Sequence, residues 1–297
     1  MLVLLGAVAV SAAVATRVPA TRARRRRVEE VRHGRFPTGA HAPSAAPFRL
    51  SVVVPSFREP SIGDTVERLR AELADVARLG GLEIVVVDDG SGDDTADLAV
   101  AAGADQVVRL PQNRGKGAAV RAGMLAAQGR VIAFTDADLS YAPEHLARLL
   151  DDVEAGWDVV VGNRSHPDSQ TLAPTSRLRL LGSRAINALT RLVLAGRYPD
   201  TQCGLKAFRA ETARSIFGRT RLDGFAFDVE VLHLVEREGW SITDAPVQVE
   251  NSARSTVNVG RDAVRLARDL IRVRRWSRDG AYDAPVDPLG AQSSSRP

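Results

Sequence analysis

Between Leu50 and Val161 the chain alternates two kinds of apolar pattern. Nearly continuous runs of Val, Ile and Leu lie from Leu50 to Val54, from Glu83 to Val87, from Val131 to Thr135 and from Asp158 to Val161, with a briefer one from Val107 to Leu110. Runs of this length bounded by turn residues predict buried strands. Between them the apolar residues step by three and four. Ile62, Val66, Leu69, Leu73 and Val76 line one face of a helix that Gly80-Gly81 ends. Thr95 to Ala102 reads as a short helix closed by Gly103, Lys116 to Gln128 as a longer one. Pro143 starts another, with Leu146, Leu149, Leu150 and Val153 on one face. Buried strands separated by helices predict a mostly parallel α/β sheet covered on both faces.

In such sheets ligands bind beyond the carboxyl ends of the strands, and there the polar residues of this chain gather. Pro55-Ser56-Phe57-Arg58-Glu59 follows the first strand and Asp88-Asp89-Gly90-Ser91 the second. Asn113-Arg114-Gly115-Lys116-Gly117 precedes the third helix, and Asp136-Ala137-Asp138 follows the fourth long strand. Two carboxylates two residues apart at the mouth of a strand call for a neutralising partner. A hard divalent cation that also takes phosphate oxygens fits, so the pair points to a nucleotide diphosphate. The other motifs have two readings each. Asp88 to Ser91 is either a turn with a helix cap at Asp93 or Asp94, or a carboxylate placed to accept a uracil N3–H. The loop at 113–117 lacks the first glycine and the Ser/Thr of a Walker motif; it is either a plain junction or a phosphate site at a helix start.

The chain has 297 residues, of which 44% are hydrophobic and 26% charged, ordinary for a globular protein with a sizeable core. The net charge of +4 matters through its location, Arg22 to Arg27 and Arg261 to Arg278. Arginines that flank the domain, with 5% aromatic residues, argue against a nucleic-acid partner. The single cysteine, Cys203, precludes an internal disulfide and reads as a buried small hydrophobe. Met1 to Val18 is apolar, without a basic region before it. The basic cluster follows it, which predicts a membrane anchor over 1–20 with residues 21–47 as a basic cytoplasmic linker, a cleaved leader being the other reading. Residues 48–255 form the predicted catalytic domain. Residues 256–279 form a basic amphipathic helix of the kind that lies in a membrane interface, with Trp276 at the headgroup level, or else a packed terminal helix. Residues 280–297 read as a disordered tail.

Two later motifs are more specific, Asp200-Thr201-Gln202-Cys203-Gly204 and Phe225-Ala226-Phe227-Asp228-Val229-Glu230. With Asn113 to Gly117, Val52 to Glu59, Val87 to Ser91 and Asp136 to Asp138, the chain from about Leu50 to Trp276 resembles family 2 glycosyltransferases of the GT-A fold. More narrowly, it resembles their dolichyl- and polyprenyl-phosphate glycosyltransferase branch. The resemblance implies an inverting, metal-dependent hexosyltransferase using Mg²⁺ or Mn²⁺. Its donor is a UDP-sugar, UDP-glucose first, its acceptor a polyprenyl monophosphate, and its place the cytoplasmic face of the cell membrane. It puts Pro55, Phe57 and Glu59 at the base and ribose, and Asp89 at the base. Lys116, Asp136 and Ala137 fall at the nucleotide sugar, Asp136 and Asp138 at the metal, and Arg164, Arg179 and Ser183 at the acceptor phosphate. Asp138, Arg164 and Asp228 are the catalytic candidates, Asp228 in an orienting role because a lipid phosphate needs no strong base. Two departures stand out. Phe57-Arg58 replaces the more frequent Tyr-Asn, so residue 57 stacks but donates no O–H bond. Ser140 stands where related mannosyl transferases often have Gln, which removes a third metal ligand.

A saccharide-accepting family 2 transferase and a membrane-tethered nucleotide-sugar-binding module without turnover are the alternatives. A sugar-phosphate nucleotidyltransferase would carry its glycine-rich loop right after the first strand, where this chain has Pro55 to Glu59.

Overall fold

The computed structural model describes residues 45–171, 190, 193–194, 198–250 and 259–285. Its first half is the predicted alternation: β1 (Phe48–Ser56), α1 (Ile62–Glu72), α2 (Ala74–Gly80), β2 (Leu82–Asp88), α3 (Thr95–Ala101), β3 (Gln106–Arg109), α4 (Lys116–Ala126), β4 (Gly129–Phe134), α5 (Glu144–Glu154) and β5 (Val159–Asn163). Then come β6 (Gln170–Thr171), β7 (Lys206–Arg209), α6 (Ala210–Phe217), α7 (Phe227–Glu238), β8 (Ile242–Pro246), β9 (Gln248–Val249) and α8 (Val259–Arg278).

Seven strands form one sheet in the order β3-β2-β1-β4-β7-β5-β8. All neighbours are parallel except β7, which runs antiparallel between β4 and β5. Alternate residues of each strand serve opposite faces. Val53, Val85, Val87, Ile132 and Phe134 pack with α4, α6 and α7, and Leu50, Val52, Val54, Ile84 and Val86 pack with α1 and α5. Val52, Val53 and Val54 are each fully buried, and burying such a side chain is worth about 1.5–3 kcal/mol. This two-sided burial makes the strands read as continuous apolar runs.

The helix expected from Ile62 to Gly80 is loosened at Leu73 (φ −101°, ψ 19°) into α1 and α2. The hydrogen bonds Leu73 N–H to Leu69 O and Ala77 N–H to Leu73 O bridge the junction, so the stripe through Leu73 and Val76 stays buried.

Two features of the carboxyl-terminal part bear on the expectations for it. Of the two readings of α8, these contacts fit the packed terminal helix: Leu266, Leu270 and Val273 are buried in the protein core and Trp276 packs against it, while Ile271 is exposed. The ordered chain also runs past Gly280. Tyr282 is fully buried, stacks edge-on against Trp276 and donates its hydroxyl to Glu230 (2.7 Å). Arg221 donates to the Ala281 carbonyl (2.6 Å), and Arg237 pairs with Asp283. These contacts hold residues 280–285 against α7, so any tail begins later than predicted. No helix among the described residues is long and apolar enough to cross a membrane; the predicted anchor at 1–20 and the linker up to residue 44 lie outside them.

Candidate active site

The register brings the four early motifs to one edge. Ser56 is paired with Asp88 at the ends of β1 and β2, and Thr135, which follows β4, donates its N–H to Val53 O (3.1 Å). The chain therefore leaves three adjacent parallel strands just before Phe57, Asp89 and Asp136. The non-glycine residues with positive φ among those described, Arg58 (50°) and Leu139 (44°), both lie here. Such conformations carry strain and persist where the surroundings enforce them. Arg58 donates its N–H to Ser91 Oγ (2.9 Å), and Leu139 N–H bonds to Asp136 O (3.1 Å).

Asp89 is buried. Its two carboxylate oxygens accept the backbone N–H groups of Arg114 (2.9 Å) and Gly115 (2.7 Å). Burial pushes its carboxyl above the usual range, with these two bonds pulling the other way. The side chain expected at the base thus braces the 113–117 loop, and one lone pair per oxygen is left for a ring N–H. Across that loop, the Asp223 carbonyl accepts the Gly117 N–H (2.8 Å), and the Asp223 carboxylate pairs with Arg121 (2.5 Å) and Arg114 (3.3 Å). Only glycine fits at 115, where φ is +109° and a Cβ would sit 2.6 Å from the Asp223 carbonyl. With the Gly117 N–H engaged by Asp223, the charged group at the start of α4 is its first side chain.

That side chain, Lys116, donates to Asp136 Oδ1 and also faces Asp138 and Asp228. Burial alone would lower its pKa, but the three carboxylates outweigh burial and raise it. Asp228, in the first turn of α7, is buried and accepts from Lys206 Nζ (2.5 Å). Burial pushes the Asp228 carboxyl up, opposed by Lys206 and Lys116. Lys206 is itself fully buried; it donates further to the Cys203 carbonyl (2.6 Å) and lies 5.4 Å from the Phe134 ring centroid. A base locked to a buried ammonium is poorly disposed to take a proton, which favours an orienting role for Asp228. Sequence reasoning gave Lys206 no role; a lysine inside an otherwise apolar Leu205–Phe208 stretch was the available signal.

Asp138 is half-buried, and its Oδ1 accepts both the N–H (3.0 Å) and the hydroxyl (2.8 Å) of Ser140. The residue in place of Gln thus orients the second carboxylate. Ala137 O accepts from Thr65 Oγ1 (2.6 Å), which ties the acidic turn to α1. Gly204 lies so close that any Cβ there would collide with the Asp136 carboxylate.

On the far side, Arg164 holds Asp200 in a fork, Nε to Oδ2 (2.6 Å) and Nη2 to Oδ1 (2.8 Å). Burial would raise the Asp200 pKa, but the Arg164 guanidinium outweighs it and holds the carboxyl below its ordinary value. The Arg164 side chain remains 40% exposed. The 200–204 segment joins the two sides of the site: Asp200 holds Arg164, and Gly204 abuts the Asp136 carboxylate. Phe57 is exposed, with the Arg58 guanidinium 5.2 Å from its ring centroid. Glu59 accepts from Ser61 Oγ (2.5 Å), and Pro55 is buried within β1. Arg179 and Ser183 lie outside the described residues.

The donor set fits a hard divalent cation. Asp136 and Asp138 each keep one oxygen without a hydrogen bond among the described residues, and no set of three His, Cys, Asp or Glu converges there. Two carboxylates that leave the rest of the shell to water and phosphate suit Mg²⁺ and Mn²⁺.

The family model for glycosyl transferase family 2 matches residues 51–217. The chain is 35% identical over 217 residues to a dolichyl-phosphate β-glucosyltransferase of Drosophila melanogaster, covering 68% of this chain and 66% of that one. It is 33% identical to the Dictyostelium discoideum protein of the same name, with 67% and 65% covered. Thus the chain spans just under two thirds of the length of these relatives. Among solved structures it resembles a mycobacterial protein (25% identity, TM-score 0.58, 78% of this chain and 75% of the other). It also shares its fold with glucosyl-3-phosphoglycerate synthase of Mycobacterium tuberculosis, solved with Mn²⁺, UDP and glucosyl-3-phosphoglycerate (24% identity, TM-score 0.57, 78% and 80%).

Proposed function

The chain belongs to glycosyl transferase family 2, and from that premise we propose that it moves a hexose, glucose first, from a UDP-sugar to a polyprenyl or dolichyl monophosphate, with inversion, at the cytoplasmic membrane face. The observation that carries this reading is that one segment, 200–204, links the Asp136 carboxylate, which Lys116 contacts, to the Asp200-clamped Arg164. It gives one centre a place for a diphosphate and a cation for a second phosphate. The names of the relatives support the lipid acceptor, and the metal and UDP of the mycobacterial synthase support the donor side.

Asp136 and Asp138 would hold a divalent ion, which would supply positive charge where the diphosphate departs. Lys116 adds a mobile cation there. Phe57 offers a ring face to the base, Glu59 and Pro55 stand toward the ribose, and Asp89 presents a carboxylate to the base while bracing the Lys116 loop. Ala137 supplies backbone beside the sugar. Arg164, with Arg179 and Ser183, binds the acceptor phosphate and fixes its line of attack on the anomeric carbon. That phosphate is already ionised, so positioning rather than proton removal is what the side chains contribute. Asp228, pinned by Lys206, orients the cluster.

A soluble phosphorylated acceptor is the second reading, favoured by the packing of the α8 apolar face into the protein core. Parallel incubations with polyprenyl phosphate or a soluble phosphorylated acid, each with Mg²⁺ or Mn²⁺ and a panel of nucleotide sugars, followed by mass spectrometry of lipid and soluble products, separate the two. A lipid-phosphate hexose is expected. Hexose appearing on a soluble phosphorylated acid, with no glycolipid from any donor, would replace the main reading by the second.

A further inference from the structure

We propose that Lys116 is a built-in counter-ion that reserves the Asp136 carboxylate, so that the divalent cation joins the site only together with the nucleotide diphosphate. The inference rests on the reading of Asp136 and Asp138 as metal ligands and says how that site is kept before substrate arrives.

Three observations carry it. The Lys116 ammonium contacts Asp136 Oδ1 directly, so it sits on a carboxylate that the cation would share. The other two carboxylates it faces already have partners of their own, Asp228 in Lys206 and Asp138 in Ser140. Its backbone is fixed on both sides, by Asp89 through Gly115 and by Asp223 through Gly117. The Lys116 side chain is 21% exposed, which leaves it a path to an anion entering from solvent.

The charges agree. Three carboxylates (Asp136, Asp138, Asp228) against two ammoniums (Lys116, Lys206) leave one negative charge in the cluster. Removing the Lys116 charge would leave two, a neutral match for a divalent ion. With Lys116 in place, a bare cation must share Asp136 with an ammonium and meets like-charge repulsion. A diphosphate gives Lys116 a new partner and brings oxygens for the cation, so both arrivals become favourable together. Such coupling is reciprocal: nucleotide tightens metal and metal tightens nucleotide by the same factor.

The test is Mn²⁺ binding, followed by loss of the free-ion electron paramagnetic resonance signal, in the full chain without acceptor. Wild type should bind Mn²⁺ at least tenfold more tightly with UDP than without. Lys116→Met should bind Mn²⁺ at least tenfold more tightly than wild type when nucleotide is absent, and its UDP-induced tightening should shrink. Lys116→Arg keeps the charge and should behave like wild type; it also guards against a loop that fails to fold with methionine. If Lys116→Met, with wild-type circular dichroism, gains no affinity for Mn²⁺ without nucleotide while wild type with UDP binds it, the counter-ion role is overturned and the metal site stands. Wild type that holds no Mn²⁺ even with UDP overturns the metal site itself, and the counter-ion role with it.

Discussion

Replacing Lys206 with methionine tests the buried half of the charge cluster. Lys206 is fully buried, Asp228 is 5% exposed, and their contact is 2.5 Å. Methionine fills a similar volume but leaves the Asp228 carboxylate without its ammonium and the Cys203 carbonyl without its donor. Removing one partner of a buried ion pair costs about 3–5 kcal/mol. At about 2–4 °C per kcal/mol for a domain of this size, the melting temperature should fall by roughly 6–20 °C. The double variant Lys206→Met/Asp228→Asn, which removes the stranded charge, should recover at least about half of that loss, on the same reasoning. pH gives an independent check. Burial already raises the Asp228 carboxyl in the wild type, and loss of Lys206 raises it further. A carboxyl raised in the folded state stabilises most below its unfolded pKa and progressively less as pH rises through the folded value. The deficit of Lys206→Met should therefore be larger at pH 7.5 than at pH 4.5. The assay is urea unfolding followed by circular dichroism at both pH values. A loss under about 1 kcal/mol, far below the expected range, or a double variant no more stable than the single one, would refute the paired-charge account.

Asp200→Asn removes a carboxylate whose pKa Arg164 holds down; its stabilisation is complete above the ordinary carboxylate pKa and lost as pH falls through the lowered folded value. The variant should lose about 1.5–3 kcal/mol at neutral pH, and its urea midpoint should depend less on pH below about 4. Gly204→Ala would force a methyl group into the Asp136 carboxylate; nucleotide affinity, read by calorimetry with UDP and Mn²⁺, should fall at least about tenfold (roughly 1.4 kcal/mol). Tyr282→Phe deletes the bond to Glu230 and should cost about 1.5–3 kcal/mol in chemical unfolding with nucleotide affinity unchanged.

The strands and helices from Phe48 to Asn163 were legible because each strand is buried on both faces and each helix shows one stripe. The four motifs at one edge follow from that order alone. β7 was not legible: it is four residues long, contains the charged Lys206, and is inserted antiparallel by pairings with β4 and β5 distant in sequence. The partner of Asp200 lies 36 residues away, beyond the reach of any local pattern. Asp89 was read as a choice between turn and base contact, and its bonds to Arg114 and Gly115 show a third role that only the folded loop reveals. For α8, amphipathic spacing specifies an apolar face but not what covers it. The buried Tyr282 and its bond to Glu230 put protein there.

The central claim, a two-carboxylate metal site serving transfer to a lipid phosphate, is tested most directly by one comparison. Wild type and Asp138→Ala are incubated with UDP-glucose, Mg²⁺ and polyprenyl phosphate, and the lipid product is quantified by mass spectrometry. Wild type should form the polyprenyl-phosphate hexose, and Asp138→Ala, folded as judged by circular dichroism, should form essentially none. Near-full product from Asp138→Ala would contradict the account.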